Sequence, residues 1–195
     1  MKWNKHQRPI SWSQIAQFTF DKDAWYKRYV LGIKEPMSKQ VEFGSEIGKR
    51  IETDITFLPE IPRQENMEYK LHVNFGDVEL IGYADSYANK HLEEYKTSSS
   101  ETKWTQKSVD ETGQITMYAL MLYIQHGILP EDLNIRLHYI PVRENGAFAM
   151  EMYGEVKHFT TKRTTNDILK FGAYLKTIIK EMEEFSTVQI DEPVL

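Results

Sequence analysis

Between residues 11 and 30 the apolar side chains fall mostly at helical spacing: Trp12, Ile15, Phe18, Trp25, Tyr26 and Tyr29. A break around Asp21 and a stop at Gly32 and Pro36 predict one or two aromatic-rich helices. Phe43, Ile47, Ile51 and Ile55 recur every four residues up to Pro59, which predicts an amphipathic helix over 43–57 with Gly44, Gly48 and Glu52 on an adjoining stripe. Three strand-like runs follow, 68–74, 78–87 and 91–97, separated by the turn signals Phe75-Gly76-Asp77 and Ala88-Asn89-Lys90; they predict an antiparallel meander. Residues 107–126 carry the longest helical pattern, with Ile115, Tyr118, Ala119, Leu122 and Tyr123 inward and Gly127 as its stop. Ile135, Leu137 and Tyr139 alternate in a strand over 134–142, and a Glu144-Asn145-Gly146 turn leads to another strand through Met152. Thr165 precedes a last helix whose inward residues are Ile168, Phe171, Leu175, Ile178, Met182 and Phe185, with Gly172 within it. The order predicts an α/β fold in which a central mixed sheet is flanked by helices.

The 195 residues suffice for one domain, taken as 1–185 with an acidic tail over 186–195, and neither repeats nor low-complexity linkers divide them. Cysteine is absent, so disulfides, thiolate zinc sites, iron–sulfur clusters and cysteine nucleophiles are excluded, and any metal must sit on oxygen or imidazole ligands. No run of 18 apolar residues occurs, and residues 1–14 lack the apolar core of a signal peptide. The expectation is an intracellular, cytoplasmic chain without membrane attachment. The net charge of −5 conceals a segregation: residues 1–35 hold seven Lys or Arg against three acids, 157–180 hold six against one, and 181–195 hold five acids and no base. The two basic stretches are expected to line the approach to a polyanion, with the acidic end pointing away.

The chemistry concentrates in Gly82-Tyr83-Ala84-Asp85-Ser86-Tyr87 and Leu92-Glu93-Glu94-Tyr95-Lys96-Thr97. With Asn89 and Lys90 as the two residues of a tight hairpin turn, Asp85 falls directly across from Glu94. Two carboxylates about 5 Å apart repel by roughly 3 kcal/mol at an effective dielectric near 20. A shared proton or a divalent cation would offset this, and oxygen-only ligands select Mg²⁺ or Mn²⁺. Lys96 lies two residues past Glu94 and shares its face, which suits phosphodiester hydrolysis: the ion lowers the pKa of its water, and the lysine orients or helps deprotonate the nucleophile. Glu93 is the competitor for Glu94 but faces the opposite side of the strand. Taken alone, the same residues also describe an ordinary Asp–Lys–Glu ion-pair cluster on a surface hairpin.

Other segments add specificity, and together the chain resembles the PD-(D/E)XK nuclease superfamily, within it the RecB-type domains and the small phage and CRISPR-associated nucleases. Gly82 to Asp85 and Leu92 to Thr97 are similar to the family's two active-site strands. Ile10-Ser11-Trp12-Ser13-Gln14 and the stretch from Trp25 to Gly32 are similar to its serine-rich start and aromatic close. Residues 43–48 with Glu52 resemble its GxxxH helix with a trailing acid, and Gln114 with Tyr118 its QxxxY helix. The resemblance spans roughly residues 10–125 and implies a restriction-endonuclease-like core. It gives Asp85, Glu94, Lys96, Gln114 and Tyr118 catalytic positions, and makes Asp85, Glu94, the Tyr95 carbonyl and Glu52 the ligands of Mg²⁺ or Mn²⁺. Gln114 and Tyr118, four residues apart, share a helix face and could donate to a phosphate or help position Lys96. Two departures stand out: Gly48 occupies the place of the family's metal-binding histidine, which Glu52 would have to replace, and the absence of cysteine excludes the cluster some members carry. Glu68 is expected at a solvated strand edge, and His72, His91, His126, His138 and His158 show no ligand spacing. The implied activity is a metal-dependent DNA nuclease of a phage or mobile-element recombination type, an exonuclease before an endonuclease, acting on single- or double-stranded DNA, as a homo-oligomer or with a recombination partner protein. The alternatives are a nucleic-acid-binding or assembly protein with a weakened site, which Gly48 favours, and third a restriction-type endonuclease.

Overall fold

The computed structural model describes residues 4, 5, 8–146 and 149–191, with side chains as far as Val188. Its elements run β1 (Ile10–Ser11), α1 (Trp12–Phe20), α2 (Lys22–Tyr29), α3 (Lys39–Thr53), β2 (Asn66–Phe75), β3 (Val78–Ala88), β4 (His91–Ser98), α4 (Gln106–Glu111), α5 (Gly113–His126), β5 (Asn134–Glu144), β6 (Met150–Met152), β7 (Lys157–Thr161) and α6 (Thr165–Asp191). The strands form one seven-stranded mixed sheet in the order β1-β3-β4-β5-β6, with β2 also on β3 and β7 also on β5. The expected helix-flanked mixed α/β architecture is therefore present. Among the described residues no helix is long and apolar enough to cross a membrane.

Asp21 makes the break between the first two helices. Its amide donates to the Gln17 carbonyl at the end of α1, while its side chain accepts from the Ala24 amide at the start of α2. The larger core gathers Ile15, Phe18 and Trp25 from the amino-terminal helices, Leu71, Leu80, Leu92, Ile135 and Leu137 from the sheet, and Ile115, Leu122, Leu175 and Met182 from α5 and α6. A smaller cluster, Ile47, Ile51, Ile61, Ile140 and Val142, seats α3 against the sheet. α3 approaches closely at Gly44, where a Cβ would come within 2.6 Å of Thr97 Oγ1.

Three expectations are corrected. α3 begins at Lys39, capped by Ser38, and ends at Thr53, leaving Ile55 largely exposed. The periodicity overran because Arg63 captures the freed carbonyls: its guanidinium donates to Ile51, Phe57, Leu58 and Ile61, tying the chain into a turn. The helix expected over 107–126 is two, α4 and α5, broken at Thr112. Gly113 lies so close to Trp12 that a Cβ would meet its ring, and buried Arg163 donates to the carbonyls of Val109 and Thr112. Residues 186–191, expected in the tail, continue α6, and Ser186 is buried; 192–195 lie outside the described residues.

Candidate active site

The hairpin turn at Asn89 and Lys90 forms as expected, both residues adopting the left-handed conformation that a two-residue turn demands. It pairs Ala88 with His91, Tyr87 with Leu92 and Ser86 with Glu93, the anticipated register. The pairing then ends at the row of Asp85 and Glu94. β4 leaves β3 there while staying parallel to β5 through Ser98, so Tyr95 loses a strand partner. The Asp85 carboxylate takes that place, accepting the Tyr95 amide at 2.5 Å. Further down the same edge of β3 its neighbour is β1, at Leu80 and Ile81. Between these contacts the Tyr83 carbonyl is left over, and it accepts the Tyr118 hydroxyl at 2.7 Å.

Glu94 is 1% exposed. Its Oε1 meets Lys96 Nζ at 2.5 Å, whereas Oε2 is buried without a hydrogen-bond partner. Burial and the neighbouring charge of Asp85 push the Glu94 carboxyl up to about 8, against the pull of Lys96. Burial likewise raises Asp85, opposed by Lys96 and the Tyr95 amide. Burial alone would lower Lys96, yet Glu94 and Asp85 outweigh it and hold the amine above its ordinary value, a charged ammonium at neutral pH. The state of Lys96 thus suits orienting and charge stabilisation rather than proton abstraction.

Asp85, Tyr95 and Lys96 open onto a cleft of about 610 Å³, walled by Gln40, Gly44, Gly48, Lys49 and Glu52 of α3, by Glu68 and Thr97, and by Lys103 beyond β4. Glu52 therefore lines the cleft. The space beside Gly48 is empty, with nothing within 4 Å of where a Cβ would stand. Glu68 is exposed on the edge strand β2, the solvated edge expected of it, and there it also lines the cleft; its carboxyl is raised by desolvation and by Asp85 and Glu52. Its left-handed backbone, φ 49°, interrupts β2 opposite Asp85, between the paired rows Met67–Ser86 and Tyr69–Ala84. Spacing alone gave no sign of this.

Gln114 and Tyr118 do not line the cleft. Gln114 Nε2 donates to the Tyr118 hydroxyl, whose proton goes to Tyr83, and the Tyr118 ring is buried against Gly82. They brace the strand that carries Asp85. Glu93 does not line the cleft and is fully buried, where Arg136, His138 and Gln64 saturate it and His138 joins His158. Among the described residues the basic stretches do not converge on Asp85 either: none of residues 8–35 or 157–180 lines the cleft, Arg163 is consumed inside the fold, and Lys162 donates to the Leu133 carbonyl. Among the described residues the cations lining the cleft are Lys49, Lys96 and Lys103, all outside both basic stretches, and charge counting misses Lys49 and Lys103 for that reason.

Of the metal ligands expected from the sequence, Asp85, Tyr95 and Glu52 line the cleft, while Glu94 lies buried behind it. Among the described residues no three His, Asp or Glu side chains converge on one point. The orphaned Glu94 oxygen nevertheless fits a hard cation, because a buried carboxylate oxygen without a donor is costly unless a proton or cation reaches it.

No protein family and no curated protein matches the sequence. Solved structures do match the fold. An exonuclease-designated protein of Eubacterium rectale superposes with a TM-score of 0.60 at 11% identity, over 95% of this chain and 83% of its own. SSO0001 gives 0.51 at 14%, over 91% and 78%, and LHK-Exo in complex with dAMP gives 0.50 at 10%, over 94% and 92%. The chain has a nuclease-like core.

Proposed function

We propose that the protein is a divalent-metal-dependent DNA nuclease of the PD-(D/E)XK, RecB-like kind, cutting phosphodiester bonds from a chain end in a recombination setting. The observation that carries this reading is the Glu94 carboxylate, buried beside Asp85 and Lys96 with one oxygen unsatisfied. Asp85, Glu94 and the Tyr95 carbonyl would hold Mg²⁺ or Mn²⁺, which when bound would lower the pKa of a water and offset charge on the phosphate. Asp85 fixes the Tyr95 peptide through its amide and so orients the carbonyl on the far side of that residue. The charged Lys96, held by Glu94, stands where it can draw a phosphate oxygen and the attacking water into line. The resemblance to exonuclease-designated structures and to one crystallised with dAMP agrees with this substrate class.

A second reading, a nucleic-acid-binding protein on the same scaffold, draws on the empty space beside Gly48. One assay separates them: the purified chain with Mn²⁺ or Mg²⁺ on end-labelled linear and covalently closed DNA, single- and double-stranded. Degradation of linear DNA alone supports the exonuclease, cleavage of closed DNA makes it an endonuclease, and binding without cleavage under all metals supports the second reading.

A further inference from the structure

The acids occupy one end of the cleft only. α3 walls it from Gln40 to Glu52, a length of roughly 18 Å at the rise of a helix. Glu68 feels the charges of both Asp85 and Glu52, which groups the three with Glu52 toward the carboxyl end of α3. Toward its amino end Gly44 touches Thr97, and one turn further the Gln40 amide, which lines the cleft, donates to Ser99 Oγ at 3.1 Å. That hydrogen bond joins the two walls. Lys103 lines the cleft from the same turn of chain, and no ion pair engages it among the described residues. The carboxylate nearest in sequence, Glu101, is turned to the Tyr153 hydroxyl.

This turn is a rigid mount. Tyr139 OH donates to the carbonyls of Ser98 and Ser100, the Lys103 amide donates to Ser100, Ser108 Oγ donates to the Lys103 carbonyl, and Trp104 packs against the larger core. A lysine with a fixed base and no acid partner, facing a cleft otherwise rich in carboxylates, suits an anion brought in by the substrate.

Resting on the nuclease reading above, we propose that Lys103 holds a terminal phosphate of the DNA strand, and that the Gln40–Ser99 bridge is the stop that makes a chain end the preferred substrate. From Gly44, beside Thr97, to Gln40 is one turn of α3, ~6 Å along the helix axis. A strand lying along α3 would therefore meet the bridge at that end of the cleft, and a closed circle could not pass.

The test uses the full chain and its Lys103→Ala, Lys103→Arg and Gln40→Ala variants. Rates with Mn²⁺ are measured on linear DNA bearing phosphate at the 5′ end, the 3′ end or neither, and on closed circles. Anisotropy of the same linear strands without divalent metal gives binding separately. The expected result is at least a tenfold preference of the wild type for one phosphorylated end, in rate and in binding. Lys103→Ala should lose it, Lys103→Arg should keep most of it, and Gln40→Ala should admit closed circles. Lys103→Ala should retain the wild-type stabilisation by Mn²⁺, which separates a substrate contact from damage to the metal site. Equal binding of all ends by the wild type, or an undiminished preference in Lys103→Ala, overturns the proposal while cleavage itself leaves the nuclease reading intact. A wild type that cleaves nothing overturns that reading, and the binding data then decide Lys103 independently.

Discussion

Glu94 dictates how the metal-free protein should respond to pH. Its carboxyl ordinarily releases a proton near 4.5, but in the folded chain burial and Asp85 move this to about 8. Between those values the unfolded chain has lost the proton and the folded protein keeps it, so stability falls as pH rises and levels off above the folded value. At about 1.4 kcal/mol for each pH unit the ceiling is roughly 5 kcal/mol. Water entering an open cleft and readjustment of Lys96 bring the expectation to about 2–3 kcal/mol, which in a domain of this size is a loss of roughly 5–10 °C in Tm between pH 5 and pH 8. Thermal unfolding followed by fluorescence in EDTA measures it directly. Glu94→Gln keeps the shape without the charge, so its curve should be flatter and should lie above the wild type at pH 8. Millimolar Mn²⁺ should raise the wild-type Tm more at pH 8 than at pH 5, because the ion competes with the proton for the same oxygens, and should leave Glu94→Gln unmoved. If both proteins lose stability in parallel, or if the variant is the weaker one at pH 8, the buried Glu94 charge is not the cost described here and the argument for a metal loses its footing.

Lys96→Met should lower turnover by at least ~100-fold with the fold intact by circular dichroism, whereas Glu93→Ala, which strands Arg136 and His138 beside an emptied site, should cost about 3–5 kcal/mol in urea unfolding. Tyr118→Phe removes the donor to the Tyr83 carbonyl and should cost about 1–2 kcal/mol while leaving turnover within a few-fold of wild type; a collapse of turnover at unchanged stability would mean that the hydroxyl serves the substrate instead. Lys49→Glu should flatten the dependence of log DNA affinity on log salt by about one phosphate contact, ~0.7–0.9 in slope, and Arg163→Glu should unfold the protein, since five hydrogen bonds bury that guanidinium.

Much of the site is legible in the chain because local rules suffice there. The hairpin at Asn89 and Lys90 leaves a single sensible register, so turn chemistry alone brings Asp85 to the row of Glu94, just where the ladder stops, and the alternation of β4 places Lys96 with Glu94 and Glu93 away from both. The illegible parts depend on contacts distant in sequence. Nothing near Ile51 announces that Arg63 will end its helix, and nothing near Val109 announces Arg163. Counting charge along the chain points to residues 157–180, yet Arg163 is buried in the fold, the exposed lysines of that stretch lie outside the cleft, and the cleft takes single lysines from α3 and from the turn after β4. The resemblance gives Tyr118 a catalytic position beside Gln114; a gap in the sheet at Tyr83 turns it into a brace.

The left-handed turn of β2 at Glu68 bears on how sequences of this fold can drift. A side chain in that conformation costs about 1–2 kcal/mol relative to glycine, and asparagine would also sit there more easily than glutamate. Glu68 gains no compensating hydrogen bond to β3 at that row, and its exposed carboxyl adds to the negative charge around Asp85. Selection for stability alone would replace it. On the proposed nuclease reading, a lineage released from that activity should therefore accumulate glycine or asparagine at this position early, before the buried Asp85, Glu94 and Lys96 decay, so the residue at 68 would date the loss among descendants that still share the fold.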